Sequence, residues 1–133
     1  MKNSKLQFDN PKILEIDYRF NEGFIFDKQI NMNTNAEVQV NKDISKRAAD
    51  VLLMMRIFSE EDFSTVPFKL NMSIKTNFQW EPELDSIIDN LLNTNGPAIL
   101  FSYIRPFVTQ FTVFSGLPAL VLPAFDFTSD ELP

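Results

Sequence analysis

The chain has 133 residues, no cysteine, no histidine, fourteen phenylalanines, and 12 basic against 18 acidic side chains, for a formal net charge of -6. Without cysteine it can build no disulfide framework, thiolate nucleophile or zinc finger, and without histidine it lacks the usual near-neutral acid–base group and the commonest transition-metal ligand. An acidic chain with no run of Lys or Arg also lacks the electrostatic footprint of nucleic-acid binding, so the expectation is a protein-binding protein, not an enzyme, with no cofactor and no nucleic-acid partner.

One domain spanning residues 1–133 is expected at this length. The lysines of the opening MKNSKLQFDN are followed by no apolar stretch, so no secretory signal and a cytoplasmic location are expected. Pro11 to Phe20 alternates Leu14, Ile16, Tyr18 and Phe20 with Glu15, Asp17 and Arg19, which predicts a half-buried strand. After a loop containing Asn21-Glu22-Gly23, Ala36, Val38 and Val40 alternate with Glu37, Gln39 and Asn41 in a second strand. The nearly continuous apolar run VLLMMRIF after Ala48 suits a central third strand. A polar connection through Glu60-Glu61-Asp62 leads into a fourth, where Phe68, Leu70, Met72, Ile74, Thr76, Phe78 and Trp80 alternate with polar residues.

Beyond Trp80 the period becomes helical. Leu84, Ile87, Ile88, Leu91 and Leu92 share a face of a short helix with Pro82 in its first turn. A long helix is expected over Pro97 to Phe114, kinked or restarted at Pro106. Steps of about 100° put Leu100, Phe101, Tyr103, Ile104, Phe107, Val108, Phe111 and Phe114 on one arc. The opposite arc holds Ser102, Arg105, Pro106, Thr109, Gln110, Thr112 and Val113, with a single charge. A solvated helical face usually carries several Lys and Glu, so this arc is expected to be covered as well, with a second subunit as the cover; the alternative is that Gly96 to Phe125 is an ordinary loop-and-helix core segment of a monomer. Ser102, Arg105, Thr109, Gln110, Thr112 and Val113 are therefore the expected oligomer interface. From Gly96 to Phe125 the chain is almost uncharged, but its prolines and polar residues argue against membrane insertion.

Acidic clusters are the remaining candidates for chemistry: Glu60-Glu61-Asp62, Glu81 to Asp89, and Asp126 with Asp130-Glu131. Asp85 and Asp89 would share a helical face at i, i+4, but no calcium-loop spacing surrounds them, and helix-dipole complement explains the cluster better. No metal site is expected. Phe24, Phe26, Leu120, Leu122 and Phe125 lie in loop or extension segments without core periodicity, so they are the expected apolar contact surface, the alternative being that they close the edge of the core.

The stretch GPAILFSYIRPFVTQFTVFSGLPALVLPAFDF resembles the characteristic segment of SecB-type chaperones, through Pro97, Ile99, Leu100, Phe101, Tyr103, Arg105, Gly116, Pro118, Leu120, Leu122, Pro123 and Phe125 or Phe127. The order of strands and loops agrees over nearly the whole chain. The resemblance implies an α+β protomer, a four-stranded antiparallel sheet with a long helix and a short helix packed on one face, pairing into a homodimer or homotetramer. It implies ATP-independent binding of unfolded or extended polypeptides in apolar grooves, with delivery to SecA in the export type and antitoxin guarding in others. Asp17 matches one acidic docking position of the family and Glu60 and Glu61 match its acidic turn; Asn21, with Glu22 beside it, stands where a second acid would fall. The further helix and acidic tail of the export type are expected to be lacking after Phe127. A scaffold retained for one specific protein partner, without general chaperone activity, is the alternative.

Overall fold

The computed structural model describes residues 5–26 and 32–127; Asp130 and Glu131 lie outside them. Five strands form one antiparallel sheet: β1 (Leu6–Phe8), β2 (Lys12–Phe20), β3 (Thr34–Asp43), β4 (Ala48–Ile57) and β5 (Phe68–Trp80). The predicted four strands are present, and β1 is an addition that three residues without a turn signal did not announce. It is the first part of an interrupted edge. β1 pairs with the end of β5 (Leu6↔Trp80, Phe8↔Phe78) and β2 with its beginning (Phe20↔Phe68 to Lys12↔Lys75), so both lie along one side of β5. Pro11 lies in the break and has no N–H to donate. The Asp9 amide donates to Asn77 O at 3.1 Å, and the Thr76 hydroxyl donates to Asp9 O at 2.6 Å.

The order across the sheet is β3, β4, β5, then β1 and β2. Along β4 and β5 buried and half-buried residues alternate without a break, as the fourth predicted strand required. The buried rows, Ala49 to Ile57 and Phe68 to Trp80, face a helical layer. That layer begins with a 3-10 stretch (Pro82–Ile87), passes through one α turn, α1 (Ile88–Asn90), and a π stretch (Leu91–Asn95), and continues as the long helix α2 (Gly96–Phe114). The predicted short helix is thus a run of mixed helical geometry that buries Ile88 and Leu92.

Helix α2 runs continuously through Pro106. The missing N–H there frees the carbonyl of Ser102, whose residue is exposed, so water can satisfy the acceptor. The helix ends in a Schellman motif. Gly116, at φ 83°, supplies the left-handed residue, Gly116 N donates to Val113 O at 3.1 Å, and Leu117 N donates to Thr112 O at 2.9 Å. This cap reverses the chain and sends residues 117–127 back along the helix.

Candidate functional site

Helix α2 carries four stripes, separated by its 100° step. Pro97, Leu100, Ile104 and Val108 are buried on the sheet. Tyr103, Phe107, Phe111 and Phe114 form an aromatic stripe on one flank, where Phe107 and Phe111 lie 5.6 Å apart and Phe111 meets Tyr18 of β2 edge-on at 4.8 Å. Phe101, Arg105, Thr109 and Thr112 form the opposite flank. Ser102, Pro106, Gln110 and Val113 point away and are exposed.

The opposite flank corrects an expectation. Arg105, Thr109 and Thr112 lack charged neighbours because the chain's own extension covers them, not because a partner must. Thr112 Oγ1 accepts from Leu120 N at 3.0 Å, the Thr109 hydroxyl donates to Leu120 O at 2.7 Å, and Arg105 Nε donates to Leu122 O at 3.0 Å. Farther along, Phe101 packs on Phe125 and Phe127, each at 5.9 Å between ring centroids. An extended segment with prolines at 118 and 123 has few ladder bonds available, and side chains of the helix satisfy its main chain instead. Leu117, Leu122 and Phe127 enter the core, and Leu122 is 1% exposed. Leu122 is therefore a core residue and not a contact surface; Leu120 and Phe125 are half-buried against it.

The most exposed apolar row lies on β2. Ile13, Ile16, Tyr18 and Phe20 pair with Ile74, Met72, Leu70 and Phe68, the buried helix-side row of β5, so they share that face. The helix covers only Tyr18. Ile13 at 41%, Ile16 at 40% and Phe20 at 36% stay open, and Leu14, displaced by a bulge, is 57% exposed. The outer edge of β2 has no strand partner among the described residues. The aromatic stripe of α2 extends this band, and Phe114 is its most exposed member at 83%.

The loop after β2 holds the other expected contact residues. Phe24 and Phe26 meet edge-on at 4.9 Å, and Phe26 is exposed. Asn21 anchors this loop: its side-chain amide donates to Phe63 O at 3.1 Å and Val66 O at 3.0 Å, while its carbonyl oxygen accepts from Gly23 N at 3.0 Å. A carboxylate could not make the two donations. Asn21 thus has a structural role, tying the turn bearing Glu22 to the β4–β5 connection that bears Glu60 and Glu61.

Asp17, opposite Asn71, lies on the outer face of the sheet. That face is mixed in charge. Glu37 pairs with Arg56 at 3.0 Å and Asp50 with Lys75 at 3.4 Å. Arg19 stacks over Phe63 at 4.0 Å, and Lys69 donates to Ser59 O at 3.2 Å. Hydrogen bonding from Asn77, then the charge of Lys75, holds Asp50 below its ordinary range. The acidic pair on the predicted short helix separates: Asp89 pairs with Lys42, whereas Asp85 receives Arg47 and the Trp80 indole at 2.9 Å. Among the described residues no group of three or more acidic side chains could hold a metal ion, and no helix is long and apolar enough to cross a membrane.

Comparison with known proteins agrees with this architecture. The family model described as preprotein translocase subunit SecB matches residues 9–129. An uncharacterized protein of Methanocaldococcus jannaschii is 25% identical over 120 residues, covering 89% of this chain and 77% of that protein. The solved SecB-like chaperone Rv1957 of Mycobacterium tuberculosis, in complex with a ChAD peptide from the HigA1 antitoxin, superposes with a TM-score of 0.72 at 18% identity, covering 92% of this chain and 91% of that one. With its sheet, its long helix and a family match across nearly all of its length, the chain belongs to the SecB family.

Proposed function

We propose that the protein is an ATP-independent chaperone of the cytoplasm that holds unfolded or extended polypeptides on exposed apolar surface and works as a homo-oligomer. The observation that carries the reading is the uncovered row Ile13, Leu14, Ile16 and Phe20 beside the unpaired edge of β2. Contiguous exposed apolar surface on a soluble domain marks an interaction site, and an open strand edge can pair with another chain. The exposed stripe Ser102, Pro106, Gln110 and Val113 has no charge, which supports cover by a second subunit there, with Ser102, Gln110 and Val113 in the interface. Phe24 and Phe26, with the open sides of Leu120 and Phe125, form the client surface.

Membership of the SecB family supports a polypeptide ligand, and the antitoxin peptide bound by the mycobacterial neighbour supports an extended one. Asp17, Glu22, Glu60 and Glu61 are the docking acids toward a partner such as SecA. The basic groups among them and the structural role of Asn21 weigh toward an antitoxin-like peptide instead. The test is dilution of a chemically unfolded client into excess protein. Slowed aggregation is expected, and an unchanged rate overturns holding. Light scattering showing a monomer at micromolar concentration would remove the oligomer. Recovery of one dominant protein by affinity capture, in place of many unrelated chains, would favour a dedicated scaffold.

A further inference from the structure

We propose that the flank of α2 formed by Phe101, Arg105, Thr109 and Thr112 is a reading surface for an extended apolar polypeptide, and that residues 117–127 are a strap occupying it until a client displaces them. The inference rests on the polypeptide-binding reading and adds a second site to the open row on β2. Four helix positions at spacings of four, four and three form a straight stripe, and the extension runs antiparallel along it. What they recognise is main chain. Arg105 contacts Leu122 O, Thr109 contacts Leu120 O and Thr112 contacts Leu120 N, so none of the three bonds depends on a side chain of the occupant.

Side-chain specificity enters only as apolar pockets, filled by Leu122 and, at the Phe101 end of the stripe, by Phe127, which meets Phe101 edge-on. Any extended segment with apolar groups at comparable spacing presents the same main-chain pattern. The occupant also has the traits of something replaceable. It belongs to no sheet, Val121 between its two anchored carbonyls is 67% exposed, and Gly116 joins it to the helix in a conformation that other residues rarely adopt. A client must compete with this strap, so apparent affinity falls by the fraction of molecules in which the flank is open. That requirement would spare the flank from binding every passing apolar chain.

The test uses the full chain and a fluorescein-labelled peptide of its own sequence, LPALVLPAFDF. Leu122→Ala removes the deepest anchor of the strap and leaves the flank intact. The peptide should bind this variant at least about tenfold more tightly than the parent, because a larger fraction is open. Adding Thr109→Val should loosen the peptide again, because the hydroxyl that donates to the occupant's main-chain carbonyl is lost. Equal affinity for the parent and the Leu122→Ala chain overturns the proposal, as does an unchanged affinity on adding Thr109→Val. If circular dichroism shows that Leu122→Ala does not fold, hydrogen exchange on the parent decides. Saturating peptide should speed exchange of the Leu120, Val121 and Leu122 amides and leave Leu70 in β5 unaffected. No peptide binding, or bound peptide with unchanged exchange, overturns the strap. The aggregation assay separates the two readings: suppression without any Leu122→Ala effect refutes the strap alone, and a Leu122→Ala gain without suppression refutes the holdase alone.

Discussion

Strand β2 and the extension over residues 117–127 are both apolar segments at the margin of one core, and they end in opposite states. β2 keeps a period of two from Ile16 to Phe20 and shifts it at the bulge between Ile13 and Glu15, yet Ile13, Ile16 and Phe20 on its helix-side face remain exposed. The extension has no period, yet Leu117, Leu122 and Phe127 are buried. Alternation decides which face a residue joins; whether that face is covered depends on the reach of the layer above it. Helix α2 crosses β4 and β5 and reaches β2 only at Tyr18, through Phe111, whereas the Schellman turn at Gly116 folds the extension onto the helix's other flank. A fully buried side chain of this size contributes about 1.5–3 kcal/mol, so the uncovered row on β2 is stabilisation still available to a second chain.

The largest expected effect comes from spoiling that row. Ile16→Lys places a charge beside the open edge, a device by which natural sheets prevent edge pairing. It should abolish the slowing of client aggregation while circular dichroism stays that of a folded chain. Unchanged suppression would move the client surface away from β2. The matching substitution in the extension is Leu122→Ala, which should cost about 2–5 kcal/mol in the protection of residues 117–127, because it empties a site inside the core. Leu14→Ala on the bulge of β2 should change urea stability by no more than about 0.5 kcal/mol. Similar losses at both sites would erase the distinction between the segments.

Much of this contrast was hidden from sequence reasoning for identifiable reasons. β4, β5 and α2 were legible because long runs with one strong period leave little choice of structure. The aromatic arc was legible, but its centre was misplaced. Thr112 is fully buried and Phe114 is among the most exposed residues, because the extension packs on the far flank and leaves Phe114 open. The signal that could have revealed this is the helix ending at Ser115-Gly116-Leu117: a glycine followed by an apolar residue is the pattern of a chain turning back on its helix. Leu122 was placed on a contact surface because proline-punctuated extended chain has no period to declare its buried side. Asn21 was read as a lost acid, and its two donated bonds appear only once the β4–β5 connection lies against it.

Asn21→Asp tests that last point. It restores a carboxylate to the loop but turns two donations to Phe63 O and Val66 O into repulsion, at an expected cost of about 1–3 kcal/mol in urea unfolding. A neutral result would mean the loop is held chiefly by the main-chain bond from Asn21 N to Pro67 O. Thr109→Val should cost about 1 kcal/mol, as the hydroxyl that reaches Leu120 O is lost with little change in shape. Its effect should appear in exchange of the extension and be absent from β2. Equal effects on both would mean that the two segments open together.

The smallest expected effect concerns acid. Hydrogen bonds from Arg47, then from the Trp80 indole, hold Asp85 below its ordinary value of 3.8. In the unfolded chain this carboxyl takes up its proton first as pH falls. Its contribution to stability is therefore complete above 3.8 and is lost as pH falls through the lower folded value. Asp43, Asp50, Asp62 and Glu83 are lowered too and act with the same sign. Asp85→Asn should reduce the urea midpoint at neutral pH and narrow its gap to the parent as pH drops, with the single tryptophan, Trp80, as the fluorescent probe. A gap that is constant with pH would show that Asp85 acts through hydrogen-bond geometry alone. Because the clamp joins Arg47, in the β3–β4 turn, to the 3-10 stretch at the Trp80 end of β5, where β1 and not β2 is the neighbour, exchange of β2 amides should not follow it. Acid would then loosen one margin of the core while the open edge, which has no such carboxylate clamp among the described residues, keeps its exposure unchanged.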